Sequence, residues 1–201
     1  MKILFVCTGN TCRSPMAEAL LKNKRPDLAV QSAGIFAGYN QRMSQNAARA
    51  LQLKNIPFDH LSQPVTQKLL HEADLVLTMT TGHKQSLIMQ YPDYQDKYFT
   101  LKEYVSEADK KVWDELKKRY ADYEMKRSEF IHTYEHKMDQ AELNEKLSAY
   151  LADDLQVIQR LEQNLVSYDI SDPFGGSLEV YQQTLDELDT YINKLVKLLE
   201  K

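Results

Sequence analysis

Val6-Cys7-Thr8-Gly9-Asn10-Thr11-Cys12-Arg13-Ser14-Pro15 stands between a compact apolar run over residues 2–6 and a helical pattern over residues 16–24. Its residue types mark a strand end, a tight loop and a helix start. Gly9 supplies the turn, Ser14 is the expected N-cap, and Pro15 is the expected first helical residue. Such a loop points successive backbone N–H groups at one place, where the positive end of the helix stabilises an anion. Five residues separate Cys7 from Arg13. A thiol beside a guanidinium at a helix N-terminus is favoured as the thiolate, which is the nucleophilic form. A planar guanidinium holds two phosphoryl oxygens through paired hydrogen bonds. A hydroxyl at Ser14 can donate to the sulfur and help it leave. The competing reading of Cys7 is a small buried hydrophobe at a strand end; the strand-loop-helix context favours the chemistry.

Outward from this loop, apolar runs over residues 29–33, 75–79 and 98–101 are expected strands. Helical patterns cover residues 44–53, 66–73 and 83–90. A last amphipathic helix over residues 177–199 carries Val180, Leu185, Leu188, Ile192, Leu195 and Leu199 on its apolar side. Strands alternating with helices imply an α/β fold with a parallel sheet covered by helices on both faces. Ligands in such folds bind at the carboxyl ends of strands near a switch point, which is where the quoted loop begins.

The 201 residues are 43% apolar and 27% charged, enough for a packed core. A net charge of -4 argues against a general nucleic-acid binder or a polybasic membrane protein. No apolar run approaches the roughly 18 residues of a membrane helix, and no signal-peptide core is present, so the cytoplasm is the expected compartment. Two cysteines, Cys7 and Cys12, cannot make a disulfide framework or a four-thiolate metal site. Between Pro92 and Pro173 there is neither proline nor glycine. Within that gap, residues 106–167 hold 10 Lys or Arg against 14 Asp or Glu, while the other 139 residues balance at 15 each. The stretch reads as an insertion between two parts of one domain, residues 1–105 and 168–201. Trp113, Leu116, Tyr120, Tyr123, Arg127, Phe130 and Tyr134 form one helical stripe, and Leu143, Leu147, Leu151, Leu155, Ile158 and Leu165 a second. Joined near residues 136–139, they predict an antiparallel helical hairpin. Its stripes can serve only to pack on each other, or the hairpin can select protein substrates, dimerise or restrain a neighbouring loop. His132 and His136, four apart, are weak evidence for a metal, and none is expected. Lys117-Lys118-Arg119 reads as a solvated face.

Residues 7–15 resemble the active-site signature of the low-molecular-weight protein-tyrosine-phosphatase family. The resemblance extends to Ser32-Ala33-Gly34, His60-Leu61-Ser62, Ala73-Asp74-Leu75-Val76-Leu77 and Asp172-Pro173, and so to all but the insertion. It implies a four-stranded parallel sheet and two-step phosphoryl transfer through a phosphocysteine, with no metal or other cofactor. It implies Cys7 as nucleophile, Arg13 as phosphoryl clamp, and Thr8, Gly9, Asn10, Thr11, Cys12, Arg13 and Ser14 as the phosphate-binding loop. Asn10, Ser32 and His60 match positions that brace this loop. Asp172, just before the last helix, matches the general acid, which protonates the leaving atom and then activates water; Asp169 is the fallback.

Two departures concern the substrate. Thr11 stands where the family has a bulky aliphatic residue, and Phe174-Gly175-Gly176-Ser177 stands where a pair of tyrosines is common. Both resemble the bacterial protein-arginine-phosphatase branch. A smaller polar wall suits a guanidinium better than a phenyl ring, so Thr11, Phe36 and Phe174 are the expected selectivity residues. The expected partners are phosphorylated proteins, with phosphoarginine favoured over phosphotyrosine. Cys12 is either an inert packed thiol or the partner that traps an oxidised Cys7 as a disulfide. Thioredoxin-linked arsenate reductases resemble the same loop but need thiols beyond Cys12, which are absent. A phosphoprotein-binding module built on the hairpin is the rival outside enzymes.

Overall fold

The computed structural model describes residues 1–163 and 167–200, without the side chains of 107–111, 113 and 163. The chain falls into two compact units, Met1–Val105 with Tyr168–Lys201, and Ser106–Ser167.

In the first unit, β1 (Lys2–Cys7) lies at the centre of a parallel sheet with β2 (Ala29–Gly34), β3 (Leu75–Thr78) and β4 (Tyr98–Thr100), in the order β2-β1-β3-β4. Cys7 pairs in register with Gly34, and Val6 with Thr78 on the other side. The chain leaves β1 for β2 on one side and later crosses to β3 on the other. The loop after β1 therefore opens at the switch point, as the α/β pattern predicts.

The period of two divides the core. Ile3, Phe5 and Cys7 face one way, into a cluster with Leu75, Leu77, Met16, Leu20, Leu51, Leu185 and Leu188. Leu4, Val6 and Val76 face the other way, with Leu70, Leu87 and Tyr98. Burial on both faces is what a central parallel strand requires, and it explains the unbroken apolar run in β1.

The helices are α1 (Arg13–Lys24), α2 (Gln45–Leu53), α3 (Gln67–Glu72), α4 (Thr81–Gln90) and α5 (Leu101–Val105) in the first part of the chain. Side chains of Ser44, Thr66 and Thr80 cap α2, α3 and α4 by accepting backbone N–H groups. Capping by Thr80 starts α4 two residues before the expected His83. Leu101, read as a strand end, instead opens α5, so β4 is short and reached through a 3-10 turn over Pro92–Lys97.

A larger correction concerns α1. It begins at Arg13, with Cys12 at the N-cap making no side-chain cap bond, so Ser14 and Pro15 lie inside the first turn. Pro15 is tolerated there because the first N–H groups of a helix have no intrahelical partner. Ser14 does not cap because its hydroxyl is engaged in the loop interior.

In the second unit, α6 (Glu107–Tyr134) and α7 (Gln140–Gln163) run antiparallel. Tyr120 bonds to Glu162, Lys126 to Asp154, and Phe130 stacks on Tyr150, partners that move oppositely along the two helices. The 28 residues of α6 span about 42 Å at about 1.5 Å each. Leu116, Leu143, Leu151 and Ile158 are buried in the seam, but Tyr120 and Leu155 are exposed, because two facing helices bury a narrower stripe than a core helix does. The Trp113 side chain and Leu165 lie outside the described residues.

The first unit closes with α8 (Leu178–Leu199), which buries Tyr181, Thr184, Leu185, Leu188, Ile192 and Leu195. Its stripe starts at Tyr181 rather than the expected Val180, which is exposed; Tyr181 turns inward to meet Cys12. Each fully buried Leu or Ile here contributes about 1.5–3 kcal/mol. Among the described residues no helix is long and apolar enough to cross a membrane.

Candidate active site

The loop between β1 and α1 wraps its backbone around the Cys7 sulfur. Its turn does not rest on Gly9, where an added Cβ would meet only Thr11 Oγ1 at 3.7 Å. The left-handed residue is Asn10, at φ 54°. This unfavourable backbone is held because every polar atom of the buried Asn10 side chain is used. The glycine the loop needs is Gly34 on β2: a Cβ there would lie 2.6 Å from Thr8 O and 2.8 Å from Asn10 N. Both are backbone atoms and cannot step aside.

The hydrogen-bond directions follow from one fixed donor. Gln63 N–H donates to Asn10 Oδ1 at 2.9 Å, which identifies that atom as oxygen. Both amide protons of Asn10 are then committed, to Ser14 Oγ at 2.9 Å and Ser32 Oγ at 2.8 Å. Ser32 donates onward to Glu18 Oε2 at 2.6 Å. Ser14, accepting from Asn10, lies 3.0 Å from Cys7 Sγ and 3.4 Å from Ala33 O, and its one proton goes to the sulfur whenever Cys7 is the thiolate, which can only accept. Asn10 N–H reaches the same sulfur at 3.3 Å. Two donors thus converge on the sulfur, which stabilises negative charge developing there when it is displaced. His60 Nε2 donates to Asn10 O at 3.0 Å. It braces the loop from outside and makes no contact with the sulfur.

Arg13 opens α1 with its side chain 7% exposed, and its guanidinium reaches across to the segment before α8. One nitrogen donates to Ile170 O at 3.4 Å and another to Asp172 Oδ2 at 2.8 Å. Asp172 is 55% exposed in its side chain, and its second oxygen accepts Phe174 N–H at 3.2 Å. Cys7, Arg13 and Asp172 therefore meet around one loop. The segment is anchored by Ile170 N–H on Met79 O and by Ser171 on Glu187. Asp169 lies elsewhere: its Oδ1 accepts Thr81 N–H at 2.7 Å, at the start of α4.

Of the expected selectivity residues, Thr11 is half-buried in the loop, while Phe36 and Phe174 are 76% and 81% exposed. Gly175 takes φ 77°, a backbone that a side chain would strain. Cys12 Sγ faces Tyr181 OH at 3.4 Å and Thr11 Oγ1 at 3.7 Å; both cysteines are free. Burial first, and then the bond to Cys12, hold the Tyr181 phenol above its usual range. His132 and His136 are exposed and meet only Glu135, and no group of three metal-binding side chains forms among the described residues.

Sequence reasoning missed Glu18 and His83. Glu18 is buried, paired with Lys22 at 2.6 Å, and ends the relay through Ser32. A carboxylate inside Met16-Ala17-Glu18-Ala19-Leu20-Leu21 was its signal. His83 Nε2 lies 2.8 Å from Thr8 Oγ1. Burial first, and then the Arg13 charge, push its pKa down to about 4 against the opposing pull of Asp169 and Asp172.

The comparisons identify the family. The family model described as low molecular weight phosphotyrosine protein phosphatase matches residues 2–154. The protein-arginine-phosphatase of Bacillus subtilis (strain 168) is 37% identical over 205 residues, covering 100% of this chain and 98% of that protein. The low molecular weight protein-tyrosine-phosphatase PtpB of Staphylococcus aureus is 41% identical over 135 residues, covering 67% of this chain and 90% of that one. Among solved structures, a mutant YwlE arginine phosphatase with a phosphorylated active-site serine superposes with a TM-score of 0.70 at 36% identity, covering 100% of this chain and 97% of that one. Asp172 lies beyond the matched part of the family model but within the full-length alignment to the arginine phosphatase. The chain belongs to the low molecular weight phosphotyrosine protein phosphatase family, cysteine-based enzymes acting on phosphorylated proteins.

Proposed function

We propose that this enzyme hydrolyses phosphoarginine in proteins, with Cys7 as nucleophile, Arg13 as phosphoryl clamp and Asp172 as acid and base. Cys7 Sγ attacks phosphorus in line while the bond to the arginine nitrogen breaks and Asp172 delivers a proton to it. Water, deprotonated by Asp172, then attacks the phosphocysteine and Sγ leaves, stabilised by Ser14 O–H and Asn10 N–H. The N–H groups of Arg13 and Ser14, which have no intrahelical partner, face the phosphoryl oxygens together with the guanidinium. In binding substrate, Arg13 exchanges Asp172 Oδ2 for two of those oxygens.

The observation that carries the substrate choice is Asp172 itself: its carboxylate already grips a guanidinium at 2.8 Å, that of Arg13. A second guanidinium, from the substrate, meets the same acceptor beside the Thr11 hydroxyl, with Phe174 turned outward rather than walling a phenyl slot. The full-length similarity to an arginine phosphatase supports this choice. Phosphotyrosine is the second reading, favoured by the 41% identity to the S. aureus tyrosine phosphatase. Measuring kcat/KM on matched phosphoarginine and phosphotyrosine peptides decides between them. The parent is expected to prefer phosphoarginine at least about tenfold, and Thr11→Ile to lose about tenfold on phosphoarginine alone. A parent that prefers phosphotyrosine, with Thr11→Ile unchanged, contradicts the proposal.

We assign residues 1–105 and 168–201 as the phosphatase domain and 106–167 as an inserted arm for protein contact, its exposed Tyr134 and Tyr150 beside Phe130 offering an aromatic face. Replacing 106–167 by a short linker is expected to spare kcat/KM on a small phosphorylated substrate and lower it on phosphoproteins. Equal values on both contradict the assignment. We place the protein in the cytoplasm, since its two free thiols suit a reducing compartment.

A further inference from the structure

His83 lies in the first turn of α4, where its backbone N–H is held by Thr80 Oγ1 at 3.1 Å. Its Nε2 meets Thr8 Oγ1 at 2.8 Å, while its Nδ1 is closed to solvent and has no hydrogen-bond partner among the described residues. A proton on Nδ1 would be a buried donor with nothing to receive it, a rarer state than a buried lone pair. The proton therefore sits on Nε2, and His83 donates to Thr8. This leaves Thr8 with its own hydroxyl proton and one lone pair. Thr8 is the exposed residue of the phosphate loop, and its carbonyl holds Phe36 N–H at 2.9 Å. Its hydroxyl is bonded to α4 through His83, while its carbonyl is bonded to the segment that carries Phe36.

We propose that His83 is a positioning residue for substrate choice, fixing the Thr8 hydroxyl so that its free lone pair accepts an N–H of the phosphoarginine guanidinium. A guanidinium brings only donors, so the cleft must supply acceptors, and Thr8 adds one to Asp172. A phenyl ring offers no donor and would leave the hydroxyl unpaired against it, which penalises phosphotyrosine. The groups that set the charge of the ring are Arg13 from α1 and Asp169 and Asp172 from the segment before α8. Burial and Arg13 outweigh the two carboxylates and keep it neutral well below the ordinary value of 6.5. A charged imidazole would repel the guanidinium and turn both ring nitrogens into donors; a neutral one does neither.

This inference rests on the phosphoarginine reading, and the test separates the two. On matched peptides, His83→Leu is expected to lose about tenfold in kcat/KM for phosphoarginine, mainly through KM, with phosphotyrosine hydrolysis unchanged or improved. His83→Gln, which keeps a neutral N–H donor at similar reach, restores most of that loss. Thr8→Val, whatever it costs both substrates through the phosphate loop, narrows the preference for phosphoarginine over phosphotyrosine as far as His83→Leu does, and the double variant narrows it no further than either single one. The pH profile of His83→Gln keeps the shape of the parent's; a step near pH 6.5 present in the parent and absent in the variant overturns the assignment. Equal losses on both peptides, or additive single effects, also overturn it. If the parent itself prefers phosphotyrosine, the substrate reading fails first. If it prefers phosphoarginine and His83→Leu leaves that preference intact, only the role of His83 fails.

Discussion

Cys7→Ser is expected to lower kcat by about 10⁴-fold or more on every phosphorylated substrate, the largest effect of any single substitution in this chain. Oxygen in place of sulfur is a far weaker nucleophile near neutral pH, and among the described residues no histidine is hydrogen-bonded to the Cys7 side chain to take its proton. His60 bonds to the Asn10 carbonyl and His83 to Thr8. Binding should survive, because the loop N–H groups and the Arg13 guanidinium are untouched. Thermal stability should also change little: Cys7 is buried at the end of β1, and a hydroxyl can take up the bonds from Ser14 and Asn10. Binding of inorganic phosphate, measured directly by calorimetry and retained in a protein without turnover, separates loss of the nucleophile from loss of the fold. Residual turnover within about tenfold of the parent contradicts a nucleophilic Cys7.

Asp172→Asn comes second, with kcat reduced by about 10²–10⁴-fold. Both chemical steps lose their proton carrier, the first its acid and the second its base. The ion pair to Arg13 is also weakened, but the Asp172 side chain is 55% exposed, so that pair adds no more than about 1 kcal/mol to stability. A large fall in kcat with a nearly unchanged melting temperature is therefore the expected combination. A large fall in stability with modest loss of rate would mean that Asp172 serves to hold the segment before α8. The loss should be smaller on substrates whose leaving group needs no proton, such as an activated aryl phosphate.

The sequence was most legible where the constraint is local. The unbroken apolar run of β1 follows from burial on both sheet faces, and the loop after it was recognisable from its residue types alone. Boundaries slipped where a side chain chose a distant partner over the local one. Ser14 has the composition of an N-cap, yet its hydroxyl turns to Cys7 Sγ and Asn10, and α1 starts two residues earlier than expected, at Arg13. Val180 fits the apolar period of α8, yet Tyr181 is the residue that turns inward, to Cys12.

The same contrast runs through the site. Cys7 and Arg13 were readable because their chemistry is tied to residue type, whereas Asp172 was legible only through the family resemblance, since an Asp-Pro pair alone reads as a turn; the fold brings it to Arg13 across 159 positions. Gly9 looked indispensable, whereas Gly34 is the position where a Cβ would strike the loop backbone, a fact about the pairing of β1 with β2. Glu18 and His83 belong to no local pattern. One is a carboxylate in an apolar helix and the other an imidazole in a first turn, and each acquires meaning only when the fold sets it against Ser32 or Thr8. Asn10 combines both cases, since its type suits a left-handed turn but its partners Ser32, His60 and Gln63 come from two distant segments, beside Ser14 in its own loop.

The account depends on a covalent bond between phosphorus and the Cys7 sulfur. Asp172→Asn slows release of that group, so rapidly quenched samples of this variant turning over phosphoarginine peptide can be digested and weighed. The added mass of one phosphoryl group is expected on the peptide containing Cys7, and is expected to vanish when Cys7→Ala, which leaves no atom there to carry the group, is combined with Asp172→Asn. Turnover without any phosphorylated peptide, or with the group on Cys12 or Ser14 instead, would contradict it.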